Sequence, residues 1–189
     1  GDMQRFAELG WDREIQRAAN SGAMIVGLCG GYQMLGKHIA DPDGIEGAAA
    51  TIEGLGLLDV STVMQPEKTV RNTHATSVDG SHPLIGYEIH LGETRGPDCD
   101  RPVVKIEDRF DGASTLGGKV FGTYLHGLFD SGAYRKAFLK RLGVASTGVD
   151  HRQNIEEALD ELAAAMEQVL DIDAMLDVAS SFGSKKGAA

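Results

Sequence analysis

No stretch of this sequence reaches the roughly 18 consecutive apolar residues that a membrane-spanning helix needs. The opening residues Gly1-Asp2-Met3-Gln4-Arg5 have neither the basic start nor the apolar core of a signal peptide. Basic residues are in the minority, 18 Lys and Arg against 28 Asp and Glu, and the formal charge of −10 would repel phosphates. No basic stripe offsets it, which excludes an ordinary nucleic-acid-binding surface. Cysteine is scarce. Cys29 and Cys99 lie in unrelated contexts, which argues against a disulfide and for a reducing, cytoplasmic setting. Neither a CxxC pair nor a His/Cys cluster with zinc spacing is present, so no metal ligands are expected. A G-x-x-x-x-G-K-[ST] phosphate loop is also missing, which excludes a P-loop ATP-using unit within these residues.

What is present suits one α/β domain. The 189 residues suffice for a full core, and 42% hydrophobic content is ordinary for a globular chain. The most informative run is Val26-Gly27-Leu28-Cys29-Gly30-Gly31-Tyr32-Gln33. Met24, Ile25, Val26 and Leu28 have strand character and lead into a cysteine flanked by glycine two before and two after. That pattern marks a strand-to-helix elbow carrying a nucleophile. Small neighbours relieve the clashes of its strained turn. The helix N-terminus beyond it would lower the thiol pKa, and its N–H groups could stabilise an oxyanion. The competing reading is a structural cysteine at the end of a core strand.

Along the chain, residues 3–20 read as a helix with a break at Gly10. Residues 24–29 read as a strand, 32–38 as a short helix, and Asp41-Pro42-Asp43-Gly44 as a turn. The run 55–63 reads as a strand, followed by β-rich pieces at 69–75, 84–91, 102–106 and 119–125. Residues 133–141 and 151–177 read as amphipathic helices. The whole stretch 1–178 is expected to form one domain, with residues 179–189 a disordered tail.

A thiol attacking a carbonyl carbon needs a base, most often histidine. Of six histidines, His126 has the best context: Val120 to Leu125 carry it to a strand end before Gly127. A strand-terminal histidine facing a strand-terminal cysteine is an arrangement that a doubly wound sheet can deliver. His38 and His151 read as surface residues and His82 as part of a turn, while His74 and His90 stay open.

The blocks GLCGGYQMLG (27–36), DPDGIEG (41–47), GLGLLDV (54–60), GYEIHLGET (86–94) and GTYLHGLFD (122–130), in this order, resemble the glutaminase domain of the cobyric acid synthases. Those domains belong to the class I, triad-type glutamine amidotransferases. The likeness spans roughly residues 1–175. It implies a flavodoxin-like three-layer α/β fold, here without its first β-α elements. It also implies that Cys29 attacks the side-chain amide of glutamine, that a thioester forms, and that its hydrolysis releases glutamate and ammonia. His126 matches the family's histidine, Gln33 a glutamine contact, and the Gly30 N–H the first oxyanion donor. Arg71 could hold the substrate carboxylate, since its fork suits that group; a solvated loop arginine is the alternative.

Many triad enzymes read H-x-E, whereas this sequence has Leu128 at the third position. The resemblance implies that the subfamily lacks this glutamate, which leaves the residue orienting His126 open. Asp130 is a candidate, although an acid there also suits a helix N-cap, as does Ser131. The elbow strand being first in the sequence leads us to expect a longer protein. There, a preceding synthetase domain would supply ATP and Mg chemistry, and a preceding glycine loop a second oxyanion donor. The corrin adenosylcobyrinic a,c-diamide, with four carboxylates to amidate, would be met through that domain. Two alternatives stand beside this expectation: the glutaminase subunit of lipid II isoglutaminyl synthase, and a non-catalytic binding module with a vestigial elbow.

Overall fold

The structure is a computed structural model that describes residues 2–184. The chain divides into two compact units, residues 1–148 and 149–189. In the first unit the N-terminal helical pattern is broken where the sequence suggested. α1 (Asp2–Leu9) and α2 (Trp11–Asn20) meet at Gly10, whose φ of 74° suits a residue without a side chain. β1 (Ile25–Leu28) then leads through Cys29 into α3 (Gly30–Leu35). The short helix therefore stops before His38, which opens β2 (His38–Asp41) instead of ending the helix. Gly36 ends the helix in an extended conformation, and only glycine fits there, since a Cβ would meet the Val60 carbonyl at 2.8 Å.

β3 (Ala50–Glu53) is followed by a loop, not by the strand expected over 55–63. Leu55 and Leu58 are buried, and the loop is laced to α3 by bonds from the N–H groups of Leu55, Leu57 and Leu58 to the Met34 and Leu35 carbonyls. Its apolar residues are core, but not of a strand. β4 (Ser61–Ser77) and β5 (Pro83–Arg95) then form one long antiparallel hairpin, with a register shift between Met64 and Thr69. The polar stretch Gln65 to Lys68 that interrupts the β pattern in sequence is that bulge. β6 (Val104–Ile106), β7 (Arg109–Asp111), β8 (Ala113–Ser114), β9 (Val120–Thr123) and α4 (Gly132–Arg141) complete the unit.

Two sheets result. In the smaller, β1 and β9 run parallel with Leu28 opposite Thr123, and β8 flanks β9. The larger has the order β3-β2-β4-β6-β7, with β5 on β4 and only the β2–β4 pair parallel. β9 is buried throughout because both of its faces are covered. Val120 and Tyr124 point into one apolar cluster with Tyr32, Leu35 and Leu58. Phe121 and Leu125 point into the other, with Leu84, Ile106 and Leu128. Gly122 is needed between them, since a Cβ there would meet the Tyr32 ring at 2.4 Å.

The second unit holds α5 (His151–Glu167) and α6 (Ile172–Ser184), two helices where the apolar spacing suggested one. Asp171 starts the second by accepting the Ala174 N–H at 2.9 Å. α6 runs through residues 179–184, and the expectation for 185–189 lies outside the described residues. No helix among the described residues is long and apolar enough to cross a membrane.

Candidate active site

Cys29 sits one residue past β1 with φ 52° and ψ −115°, a left-handed conformation rare for a side-chain-bearing residue. It is held there from both sides. Its N–H donates to the Thr123 carbonyl at 3.0 Å, and its carbonyl accepts the Gln33 N–H at 3.2 Å. A Cβ at Gly27 would collide with the Gly31 carbonyl at 2.7 Å, so the first elbow glycine is required by the close approach of α3. Gly30 and Gly31 face open space instead. Their missing side chains leave room beside the thiol.

The thiol opens on a cavity of about 630 Å³ that Gly30 and Gln33 also line. Its Sγ donates to the Ile89 carbonyl of β5 at 3.5 Å. Contrary to the expectation from a helix N-terminus, the thiol pKa is raised. Burial pushes it up, a hydrogen bond from the Gly30 N–H acts the other way, and the negative charge of Glu46 adds to the rise. α3 has only six residues, so its dipole is small against the desolvation. The resting group is a thiol, and its attack needs a base.

His126 reaches the same strand two residues away. It exchanges two backbone bonds with Tyr87, at 2.9 and 3.2 Å, and its ring stacks on the Tyr87 ring with centroids 4.6 Å apart. Neighbouring strand residues rise about 3.3 Å each, so β5 ties the thiol and the imidazole to points roughly 7 Å apart. The His126 Nε2 is buried without a hydrogen-bond partner among the described residues. Leu128 is fully buried in the second apolar cluster, so position 128 offers this ring no acid. Asp130 closes a turn by donating its N–H to the Gly127 carbonyl at 3.0 Å, and Ser131 rather than Asp130 caps α4. Among the described residues no hydrogen bond joins Asp130 to the His126 ring.

Arg71 lies elsewhere. Its Nε donates to Glu88 Oε2 at 2.6 Å, and it is not among the residues lining the Cys29 cavity. Glu88 is fully buried and also receives Arg109, while His90 Nε2 stands 3.7 Å from its other oxygen. Burial alone would raise this carboxyl, but His90, Arg109 and Arg71 together bring it down to about 2. Glu88, within the GYEIHLGET block, and His90, left open in the sequence, therefore belong to one network around a buried carboxylate. The His90 ring stacks on Tyr124 at 3.9 Å, and the Tyr124 hydroxyl accepts the Gln33 amide at 3.3 Å. The network thus ends on a cavity wall. Sequence reasoning also gave no task to Asp41, Glu46 and Lys68, which line the same cavity. The DPDGIEG block was the signal for the first two. Among the described residues no group of three or more His, Cys, Asp or Glu is placed to hold a metal ion.

Residues 1–134 match the model of the CobB/CobQ-like glutamine amidotransferase domain. The chain belongs to that family. Its relatives include the cobyric acid synthase of Mesorhizobium japonicum, 53% identical over 179 residues that make up 95% of this chain and 36% of the relative. The cobyric acid synthase of Sinorhizobium fredii is 54% identical over 90% of this chain and 35% of its own length. That of Brucella anthropi is 50% identical over 94% of this chain and 37% of its own. The chain spans about a third of the length of the curated relatives it matches. The fold described above is accordingly the α/β glutamine amidotransferase fold, and the chain is a glutamine amidotransferase domain.

Proposed function

We propose that this chain is the ammonia-producing part of a cobyric acid synthase and that Cys29 is its nucleophile. One observation carries the reading: the only cysteine on the cavity wall occupies a strained left-handed elbow, clamped by β9 and α3. The thiol attacks the glutamine amide carbon, and His126 takes its proton and delivers it to the departing ammonia. The unpartnered Nε2 of His126 supports this role. The N–H of Gly30, the first residue of α3 and next to Cys29 in the chain, faces the developing oxyanion. Water then hydrolyses the thioester to glutamate. Gln33 contacts the substrate from the cavity wall, held by Tyr124. Asp130, at the turn after His126, is the nearest acid in sequence and remains the candidate to orient it, although no hydrogen bond joins the two among the described residues. Arg71 is better accounted for by Glu88 than by a substrate carboxylate.

In the full enzyme the ammonia would pass to an ATP- and Mg-dependent synthetase domain and amidate four carboxylates of adenosylcobyrinic a,c-diamide, in the cytoplasm. Glutamate release by this chain, measured with each candidate partner, tests the assignment. The synthetase part of a cobyric acid synthase, supplied with ATP and the corrin, should accelerate release. Acceleration only by the lipid II amidating partner would reassign the chain.

A further inference from the structure

The loop from Asp41 to Gly47 has no task in the chemistry above, yet it forms one wall of the cavity. Both oxygens of the Asp41 carboxylate are committed to the loop's own backbone. Oδ1 accepts the Ile45 N–H at 2.8 Å and Oδ2 the Glu46 N–H at 2.9 Å, bonds that keep this carboxyl ionised. They fix the course of the chain at Glu46, whose side chain lines the cavity together with Cys29. No ion pair is formed by the Glu46 carboxylate among the described residues. Lys68 lines the same cavity from the bulge between Met64 and Thr69, where β4 leaves its register with β5. It too has no carboxylate partner among the described residues.

A free glutamine presents three chemical groups: an amide, an α-ammonium and an α-carboxylate. The cavity is lined by the nucleophile, by one flexible cation, Lys68, and by three acids, of which Asp41 is spent on its own loop and Asp2 opens α1, leaving Glu46 on the loop beside the thiol. We infer that Glu46 binds the α-ammonium of the substrate and Lys68 its α-carboxylate, so that the pair selects a free α-amino acid over a simple amide. The inference rests on the glutamine reading above. It also gives a use to a carboxylate whose field opposes, as the smallest of three influences, ionisation of the nucleophile. A bound ammonium neutralises Glu46 and removes that opposition when substrate arrives. Charge-assisted contacts of this kind are strong enough to govern affinity for a small ligand.

The test is protection of Cys29 from iodoacetamide, read on the peptide that carries it, with two competitors. Glutamine carries both end groups, and glutaramate lacks only the α-ammonium. Wild-type Cys29 should be protected better by glutamine than by glutaramate. Glu46→Gln should weaken protection by glutamine about tenfold or more, to the level of glutaramate, whose own effect stays unchanged. Without competitor the variant should be alkylated at least as fast as wild type. Lys68→Met should weaken both competitors, since both carry the carboxylate. Equal protection of wild type and Glu46→Gln by glutamine, or slower alkylation of the variant, overturns the role of Glu46. Undiminished protection of Lys68→Met overturns that of Lys68. Failure of glutamine to protect wild type at any concentration would instead overturn the glutamine reading itself.

Discussion

Replacing Cys29 by serine in a full-length synthase carrying this domain should lower glutamine-dependent amidation about 10³-fold or more and leave ammonia-dependent amidation intact. The size follows from the chemistry. The thiolate is the reacting species, and a serine hydroxyl ionises far less readily, so a base matched to a thiol cannot activate it. The substitution removes one atom's identity and little volume. The clamps on the elbow are backbone bonds to Thr123 and Gln33, which serine retains. Folding is therefore spared. Ammonia added to the medium bypasses the thioester and meets the activated carboxylate directly. Parallel assays with glutamine and with an ammonium salt check this, and equal loss of both activities would sink the ammonia-donor role.

Glu88→Gln should cost about 3 kcal/mol of folding stability at neutral pH, the lower end of what breaking a buried ion pair costs. Glu88 is fully buried, while Arg71 and Arg109 keep 45% and 40% of their side-chain surface exposed. The freed guanidinium groups can turn to water, which limits the loss. The pH dependence follows from the carboxyl, held at about 2 against an ordinary value of 4.5. A depressed folded-state pKa stabilises the fold fully above the ordinary value. As pH falls from about 4.5 towards 2 the stabilisation is lost. Urea denaturation of wild type and variant at pH 7 and at stepwise lower pH should show a gap that closes across that window. A gap independent of pH would contradict the ion-pair account. Because Glu88 lies on β5 between Tyr87 and Ile89, the variant should also disturb the strand that ties His126 to Cys29.

The parts of the site that were legible in the sequence are those fixed by local rules. An apolar run ending in a glycine-flanked cysteine favours a tight elbow, and the φ of 52° at Cys29 shows that turn in place. Gly10 broke its helix for the same reason. His126 was found because β9, buried on both faces, reads as a continuous apolar run. Long-range features were not legible. The apolar run after Gly54 belongs to a loop, because its burial against α3 comes from tertiary packing that periodicity does not encode. Gln65 to Lys68 looked like a gap between strands, whereas a bulge carries one strand through it and aims Lys68 at the cavity. The raised thiol pKa is not legible, because the elbow reveals the helix N-terminus but not how deeply the site is buried. The partner of Arg71 is not legible either, because Glu88 lies 17 residues away in sequence and meets it only across the β4–β5 ladder.

The central claim is that Cys29 attacks glutamine from the elbow, and a diazoketone analogue of glutamine tests it most directly. Such a compound carries the amino-acid end of the substrate and alkylates the group that attacks its carbonyl region. Mass spectrometry after incubation should find one equivalent bound to the peptide carrying Cys29 and none on Cys29→Ala. Absence of an adduct on the folded wild-type chain, or attachment to Cys99 instead, would contradict the account.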